Sequence, residues 1–161
     1  VARQVNATWL LMLDDDMIIN PWNTTGPTEE YGFLEKLIGH AKDICGVLYY
    51  QRGGECAPVV MTALGNTGYR FMRDDEVEHK LQRVDVAGGG CLLINMRVFD
   101  NIQNPYFAPE FKFGTDIQFC RLAAEKGFEV WADTSIELGH IKNERIVVTS
   151  QTRRQCRMTD A

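Results

Sequence analysis

A short apolar run that ends in three consecutive aspartates constrains the fold of this chain more than any other feature. The residues from Trp9 to Met17 read WLLMLDDDM, and an apolar run of this length predicts a buried strand of a parallel sheet. Ligands of open α/β sheets bind in the crevice outside the carboxyl ends of the strands. Asp14, Asp15 and Asp16 would lie at that crevice.

Three adjacent carboxylates repel one another unless a cation neutralises them. Oxygen ligands of this kind suit Mg²⁺ or Mn²⁺ that is held together with substrate phosphates. The aspartates therefore predict a metal site that serves a phosphorylated substrate. A solvated acidic turn or a helix N-cap is the alternative interpretation of the same residues.

Length and charge narrow the class of protein further. A chain of 161 residues can bury a core of its own, so we expect a single domain over residues 1–161. The net charge of −5 argues against a nucleic-acid partner or a membrane surface, because phosphate backbones and anionic lipids attract basic proteins. The sequence also contains no apolar run of transmembrane length.

The five cysteines are an odd number, widely spaced, and include no CxxC pair. This pattern predicts neither a zinc site nor a disulfide framework, and it favours a reducing, cytoplasmic location. Cys45, Cys91 and Cys120 lie within apolar stretches, and we expect them to pack as small apolar residues.

The remainder of the chain alternates between helical and strand patterns, which predicts an α/β fold. The predicted helices are 28–40, 97–102 and 115–126, and the predicted strands are 8–13, 44–50, 59–64, 91–94 and 129–132. The strands 44–50 and 59–64 together predict an antiparallel excursion from the main sheet.

Gly88, Gly89 and Gly90 precede the predicted strand 91–94. Glycine allows a backbone to approach a ligand closely, so this triplet is a candidate binding element. Its spacing is neither that of a P-loop nor that of a dinucleotide-binding turn. A tight turn between two strands is the alternative interpretation.

Two later residues are candidates to complete a site around the aspartates. Asp116 lies where an aromatic loop meets a helix start, and a carboxylate beside aromatic side chains can deprotonate an incoming hydroxyl. A helix cap is the alternative role for Asp116, and Glu110 is a second candidate for the base. His140 follows the last predicted strand and would return to the aspartates as a neutral imidazole ligand. We interpret His40 and His79 as surface residues.

The order of these features resembles the GT-A-fold glycosyltransferases, and family 2 most closely. The strand with DDD, the glycine turn before a strand, the PYF…E…GTD segment and the late GH follow one another as they do in that family. The stretch TDIQFCRLAAEKGFEVW, Thr115–Trp131, is especially similar to the helix and strand that follow the family's acidic residue. The resemblance covers roughly residues 5–141 and only the second half of the family's fold. It implies a Rossmann-like mixed GT-A sheet that is incomplete at the N-terminus and lacks the strands that grip the nucleotide base.

The resemblance also implies a role for each candidate residue. The outer aspartates form a DxD motif, whose first member approaches the ribose of a nucleotide sugar and whose last member holds the metal that bridges the diphosphate. The glycines line the donor sugar and the acceptor side. The implied metal ligands are Asp14, Asp16 and His140, the implied nucleotide-sugar-binding residues are Asp14, Asp15, Gly88, Gly89 and Gly90, and the implied catalytic base is Asp116.

The reaction implied by the resemblance is transfer of a sugar from a UDP- or GDP-sugar to a hydroxyl of a glycan or another acceptor. Inversion at the anomeric carbon is expected, with Mn²⁺ or Mg²⁺ as the cofactor, and a homo-oligomer is compatible with it. Three other classes compete. They are a catalytically silent GT-A fragment, a metal-dependent nucleotidyltransferase or phosphohydrolase, and a sugar-binding module that stacks aromatic side chains on sugar rings.

Overall fold

The computed structural model of the protein describes residues 2–19, 32–65, 68–108, 114–143 and 146–154. The strands are, in chain order, β1 (Trp9–Leu13), β2 (Met17–Ile18), β3 (Ile44–Leu48), β4 (Val60–Ala63), β5 (Tyr69–Phe71), β6 (Leu81–Val84), β7 (Val86–Ala87), β8 (Cys91–Asn95), β9 (Val130–Glu137), β10 (Gly139–Asn143) and β11 (Ile146–Val148). The α-helices are α1 (Gly32–Gly39), α2 (Met96–Asn101) and α3 (Thr115–Glu125), and short 3₁₀ helices cover Ala2–Val5 and Asp74–Glu76.

The main sheet is mixed and has five strands in the order β1-β8-β3-β9-β6. β9 pairs in parallel with β3, whereas β8 pairs antiparallel with both β1 and β3. β6 closes the far edge by antiparallel pairing with β9. Because β8 reverses direction between them, β1, β3 and β9 all run the same way. The coarse prediction of an α/β fold with a mixed sheet is confirmed.

β1 lies at the edge of this sheet, which corrects the prediction of a fully buried strand within parallel neighbours. Its partner is the antiparallel β8, and Leu13 at its end is 42% exposed. Both faces of β1 are nevertheless covered, since Leu10 and Met12 pack into one core cluster and Trp9 and Leu11 into the other. An apolar run shows that two faces are covered, but it does not show whether both edges are paired.

The segment predicted as strand 44–50 forms the fully buried β3 at the centre of the main sheet. Its assignment to an antiparallel excursion is therefore wrong. A smaller antiparallel sheet does exist, in the order β5-β4-β7, and it includes the segment predicted as strand 59–64. A third sheet, β11-β10-β2, brings the late part of the chain against the residues that follow the aspartates.

α3 matches its prediction closely. It begins at Thr115, and Gly127 follows its end with a φ of +83°, a conformation that favours glycine. Its buried face packs into the main core, and the helix contacts β7. The predicted start of the first helix, at Thr28, lies outside the described residues. Among the helices described, none combines the length and the apolar character that a membrane span requires.

Cys56 is disulfide-bonded, which contradicts the prediction from cysteine spacing. None of the other cysteines in the described ranges is its partner, because Cys45, Cys91 and Cys120 are buried free thiols, as expected. Spacing along the chain does not reveal which cysteines a fold brings together. The spacing of the cysteines therefore no longer supports the prediction of a cytoplasmic location.

A buried carboxylate ties α1 to β9. Asp133, only 1% exposed at its side chain, accepts hydrogen bonds from His40 Nε2 at 2.8 Å and from Lys36 Nζ at 3.0 Å. Its other oxygen accepts the Ser135 backbone N–H at 3.0 Å. The interpretation of His40 as a surface residue is wrong, because the fold turns its ring toward a carboxylate 93 residues away in sequence.

This cluster predicts a loss of stability in acid. Burial raises the pKa of Asp133, but the hydrogen bonds from Ser135, His40 and Lys36 outweigh it and lower the pKa from 3.8 to about 2. The carboxylate then stabilises the fold at pH values above its unfolded pKa, and this contribution disappears as the pH falls from about 4 to about 2. The shift corresponds to about 2 kcal/mol of unfolding free energy.

Urea unfolding of wild type and Asp133→Asn at pH 7 and pH 2.5 measures this contribution. We expect the variant to be less stable by about 2 kcal/mol at pH 7 and the difference to shrink at pH 2.5. Asp75→Asn, at an exposed carboxylate, is the matched control. A difference that is the same at both pH values would contradict the prediction.

Candidate functional site

The three aspartates form a turn at the carboxyl end of β1. The Asp14 N–H donates to the Gly90 carbonyl at 3.0 Å, and the Met17 N–H donates back to the Asp14 carbonyl at 3.2 Å. Asp14 and Asp15 are exposed, whereas the side chain of Asp16 is only 22% exposed. The aspartate turn therefore lies beside the glycine triplet, with two carboxylates toward solvent and one held inside.

Asp16 and His140 meet because β10 pairs with β2. Met17 lies opposite His140 in the register, and the Ile141 N–H donates to the Asp16 carbonyl at 2.9 Å. The side chains then approach each other, with His140 Nε2 lying 3.5 Å from Asp16 Oδ2. The structure thus brings together the two residues that the sequence proposed as partners around a metal.

The imidazole of His140 has a defined orientation. Its Nδ1 lies 2.7 Å from the Tyr50 carbonyl oxygen, and the ring is buried. A carbonyl only accepts, so Nδ1 carries the hydrogen and donates. In the neutral ring this leaves the lone pair on Nε2, the nitrogen that lies 3.5 Å from Asp16 Oδ2. Metal-binding histidines usually donate their second ring N–H to a carbonyl or a carboxylate in this way.

The two carboxylate oxygens of Asp16 differ in their partners. Oδ2 forms an ion pair with Arg52 Nη1 at 2.6 Å, whereas Oδ1 is buried and has no hydrogen-bond partner among the residues that the structure describes. Buried acceptors without a partner are rare in folded proteins. A carboxylate with one buried, unpartnered oxygen, whose other oxygen lies 3.5 Å from an imidazole nitrogen, fits a divalent cation that both side chains would hold.

The described residues contain no group of three or more His, Cys, Asp or Glu side chains placed to share a metal. Asp14, predicted as a third ligand, has its backbone anchored at Gly90 and its side chain exposed. Mg²⁺ is commonly held by one or two carboxylates, with substrate phosphates and water filling the remaining positions. The Asp16–His140 pair suits a cation that is completed by its substrate.

The glycine triplet is shaped by a tyrosine that the sequence analysis missed. The hydroxyl of Tyr49 accepts the Gly90 N–H at 3.0 Å, and a Cβ added at Gly88 would lie 2.1 Å from that oxygen. A Cβ at Gly90 would lie 2.4 Å from the Cε of Met17. Gly88 and Gly90 are therefore glycines because neighbouring side chains occupy the space that a Cβ needs.

Gly89 differs from its two neighbours. Among the described residues, a Cβ added there would meet the Cε of Met12 at 3.7 Å and the Cβ of Asp116 at 3.9 Å, which are ordinary contacts. Gly89 is also partly exposed. Of the three glycines, it is the one that adjoins the predicted base.

Asp116 occupies the first turn of α3 and is half-buried. Its Oδ1 accepts the Ile117 N–H at 2.9 Å, while Gly114 is the N-cap residue. Asp116 is therefore not the N-cap residue, but its carboxylate does accept a backbone N–H at the helix start, as the alternative role of a helix cap predicts. Glu110, the second candidate for the base, lies outside the described residues.

Tyr49 lies between the two acidic parts of the site. Its pKa is raised, chiefly because the phenol is buried, and the nearby carboxylates of Asp116 and Asp14 raise it further against the opposing Gly90 hydrogen bond. The phenol is therefore neutral at physiological pH. Tyr49 therefore packs against the glycine triplet and holds the Gly90 N–H without adding charge to the site.

A cavity of about 570 Å³ borders the loop that contains Arg52, and none of the predicted site residues line it. It is lined by the loop that follows β3 and by the end of β5 with the residues after it, namely Gln51, Glu55, Ala57, Pro58 and Arg70–Asp74. The loop of residues 51–58 contacts both the cavity and the aspartate turn, because its Arg52 forms the ion pair with Asp16.

Comparisons with known proteins bear on the fold. No family model matches the chain, and no curated protein matches it. Among solved structures, the crystal structure of A197 from STIV is similar, with a TM-score of 0.60 and 17% sequence identity. The two share a fold. The similarity covers 92% of this chain but 65% of A197, so the chain spans somewhat less than two thirds of that protein. A likeness at this identity shows the fold alone, since one fold hosts many activities.

Proposed function

We propose that this protein is a GT-A-type glycosyltransferase that moves a sugar from a nucleoside-diphosphate sugar to a hydroxyl acceptor with inversion. The observation that carries the proposal is the Asp16–His140 pair, with Nε2 3.5 Å from Oδ2 and Nδ1 bonded to the Tyr50 carbonyl. The likeness in fold to A197 is compatible with it, as is the order of motifs along the chain.

In this proposal Asp16 and His140 hold Mn²⁺ or Mg²⁺. When bound there, such a cation would supply positive charge to a leaving diphosphate. Asp14 and Asp15, exposed at the same turn, hydrogen-bond the ribose of the donor. The partly exposed Gly89 leaves room for the sugar because it carries no side chain.

Asp116 acts as the general base. Its carboxylate takes the proton of the acceptor hydroxyl while that oxygen forms a bond to the anomeric carbon. The bond from that carbon to the diphosphate breaks on the opposite face, which inverts the centre. The position of Asp116 beside Gly89, with a Cβ at Gly89 3.9 Å from the Cβ of Asp116, supports this role.

Calorimetric titration of UDP and of GDP, each with and without Mn²⁺, tests the proposal. We expect one nucleotide to bind in the presence of Mn²⁺ and at least about tenfold more weakly when EDTA removes the metal. Asp16→Asn should lose the metal-dependent part of the binding, because the amide cannot supply a charged ligand.

Asp75→Asn, at an exposed carboxylate outside the proposed site, serves as the control and should bind like wild type. Binding that is indifferent to Mn²⁺ would contradict the metal role of Asp16. No binding of either nucleotide would contradict the proposal that this chain takes a nucleotide-sugar donor.

A further inference from the structure

Arg52 places a positive charge on the carboxylate that the proposed function assigns to the metal. Its Nη1 lies 2.6 Å from Asp16 Oδ2, the same oxygen that lies 3.5 Å from His140 Nε2. The guanidinium therefore pairs with the carboxylate that a divalent cation would also use. Nothing in the sequence pattern around Arg52 points to this contact.

The two cations would share one carboxylate. A guanidinium and a divalent ion within a few ångströms of each other repel, and the carboxylate between them is only 22% exposed, which limits the screening by water. A cation bound to Asp16 and His140 must therefore weaken the ion pair between Arg52 and Asp16. The side chain of Arg52 is 55% exposed, so it can turn away without burying its charge.

The backbone around Arg52 is held by contacts that do not involve its guanidinium. The Gln51 N–H donates to the Ala57 carbonyl at 3.0 Å, and Tyr50 forms a bridge with Pro58. The Tyr50 carbonyl also holds the ring of His140. Arg52 thus stays close to the metal ligands whichever partner its guanidinium takes.

We infer that Arg52 is a diphosphate-binding residue that exchanges Asp16 for the donor's diphosphate when the metal binds. This inference rests on the proposed function. A guanidinium matches phosphate oxygens with two parallel hydrogen bonds, and a diphosphate bridged to the metal at Asp16 would lie within its reach. The exchange couples the two ligands, because Arg52 opposes the metal alone and favours the nucleotide once the metal is present.

The variant Arg52→Gln tests this coupling through binding of two separate ligands. We expect Mn²⁺ alone to bind several-fold more tightly to the variant, since its competitor is gone. We expect UDP and GDP, titrated at saturating Mn²⁺, to bind about tenfold more weakly, since a charge-assisted contact is lost. Electron paramagnetic resonance of free Mn²⁺ gives the first affinity and calorimetry the second.

Arg83→Gln is the matched control. Arg83 is exposed on the edge strand β6 and pairs with Glu129, so its replacement should change neither affinity. Opposite signs of the two changes in Arg52→Gln support the inference, since a merely structural arginine would weaken both ligands together.

Two results separate failure of this inference from failure of the proposed function. If Asp16→Asn abolishes Mn²⁺ binding but Arg52→Gln leaves nucleotide affinity unchanged or weakens both ligands alike, the role of Arg52 is overturned and the metal site stands. If wild type binds neither Mn²⁺ nor a nucleotide, the proposed function fails and this inference fails with it.

Discussion

In the proposed reaction, Asp116→Asn is expected to lower the rate of sugar transfer by about a hundredfold or more while the proposed metal-dependent nucleotide binding stays close to wild type. General-base catalysis contributes about 10²- to 10⁴-fold to such reactions, and an amide cannot take the acceptor's proton. The amide oxygen can still accept the Ile117 N–H that Oδ1 accepts at 2.9 Å, so the start of α3 should remain intact. The measurement is the transfer rate from the bound nucleotide sugar, beside the dissociation constant of the nucleotide.

The matched control for this variant is Glu125→Gln. Glu125 is a carboxylate at the far end of the same helix, paired with Arg121 across one turn, and its replacement should leave the transfer rate unchanged. Simultaneous loss of transfer and of nucleotide binding in Asp116→Asn would contradict the assignment of the base. Retained transfer would indicate a mechanism without this carboxylate.

Gly88→Ala is expected to destabilise the protein by about 3 kcal/mol, whereas Gly89→Ala should stay within about 0.5 kcal/mol of wild type. A methyl group at Gly88 would lie 2.1 Å from the Tyr49 hydroxyl and 2.5 Å from the Cγ1 of Val59. Both neighbours are buried, so neither can move aside cheaply. At Gly89 the same methyl group makes only ordinary contacts.

Urea unfolding of the two variants measures this contrast. A double-mutant cycle with Tyr49→Phe then shows how much of the loss at Gly88 comes from the hydroxyl. We expect Gly88→Ala to cost less unfolding free energy in the Tyr49→Phe background than in wild type, because the phenylalanine ring lacks the oxygen that a new Cβ would meet first. Equal stability of Gly88→Ala and Gly89→Ala would contradict the packing described for the triplet.

The local elements were largely predictable from sequence. The start of α3 at Thr115 and the glycine after its end follow from the helical pattern and from the freedom of glycine at positive φ. The sequence predicts that His140 returns to the aspartates as an imidazole ligand, and in the structure His140 lies within β10 rather than after a strand. The pairing of β10 with β2 supplies the specific contact.

Other contacts of the site could not be predicted from the sequence. Tyr49 lies 41 residues from Gly90 and Arg52 lies 36 residues from Asp16, and neither belongs to a motif. The disulfide of Cys56 and the ion pairs of Asp133 are equally remote in sequence. Such contacts depend on which surfaces the fold brings together, and periodicity reports only the face that a residue occupies within its own element.

The sequence by itself determined the alternation of helices and strands, the three aspartates at a strand end and the acid at the start of α3. These are local properties, set by apolar spacing and by the conformational preferences of single residues. Only the tertiary structure decided that β1 forms an edge, that β3 lies at the centre of the sheet and that Asp16 faces both His140 and Arg52. Strand order and side-chain partners arise from packing between distant segments. The fold minimises the free energy of the whole chain, and no single stretch determines that minimum.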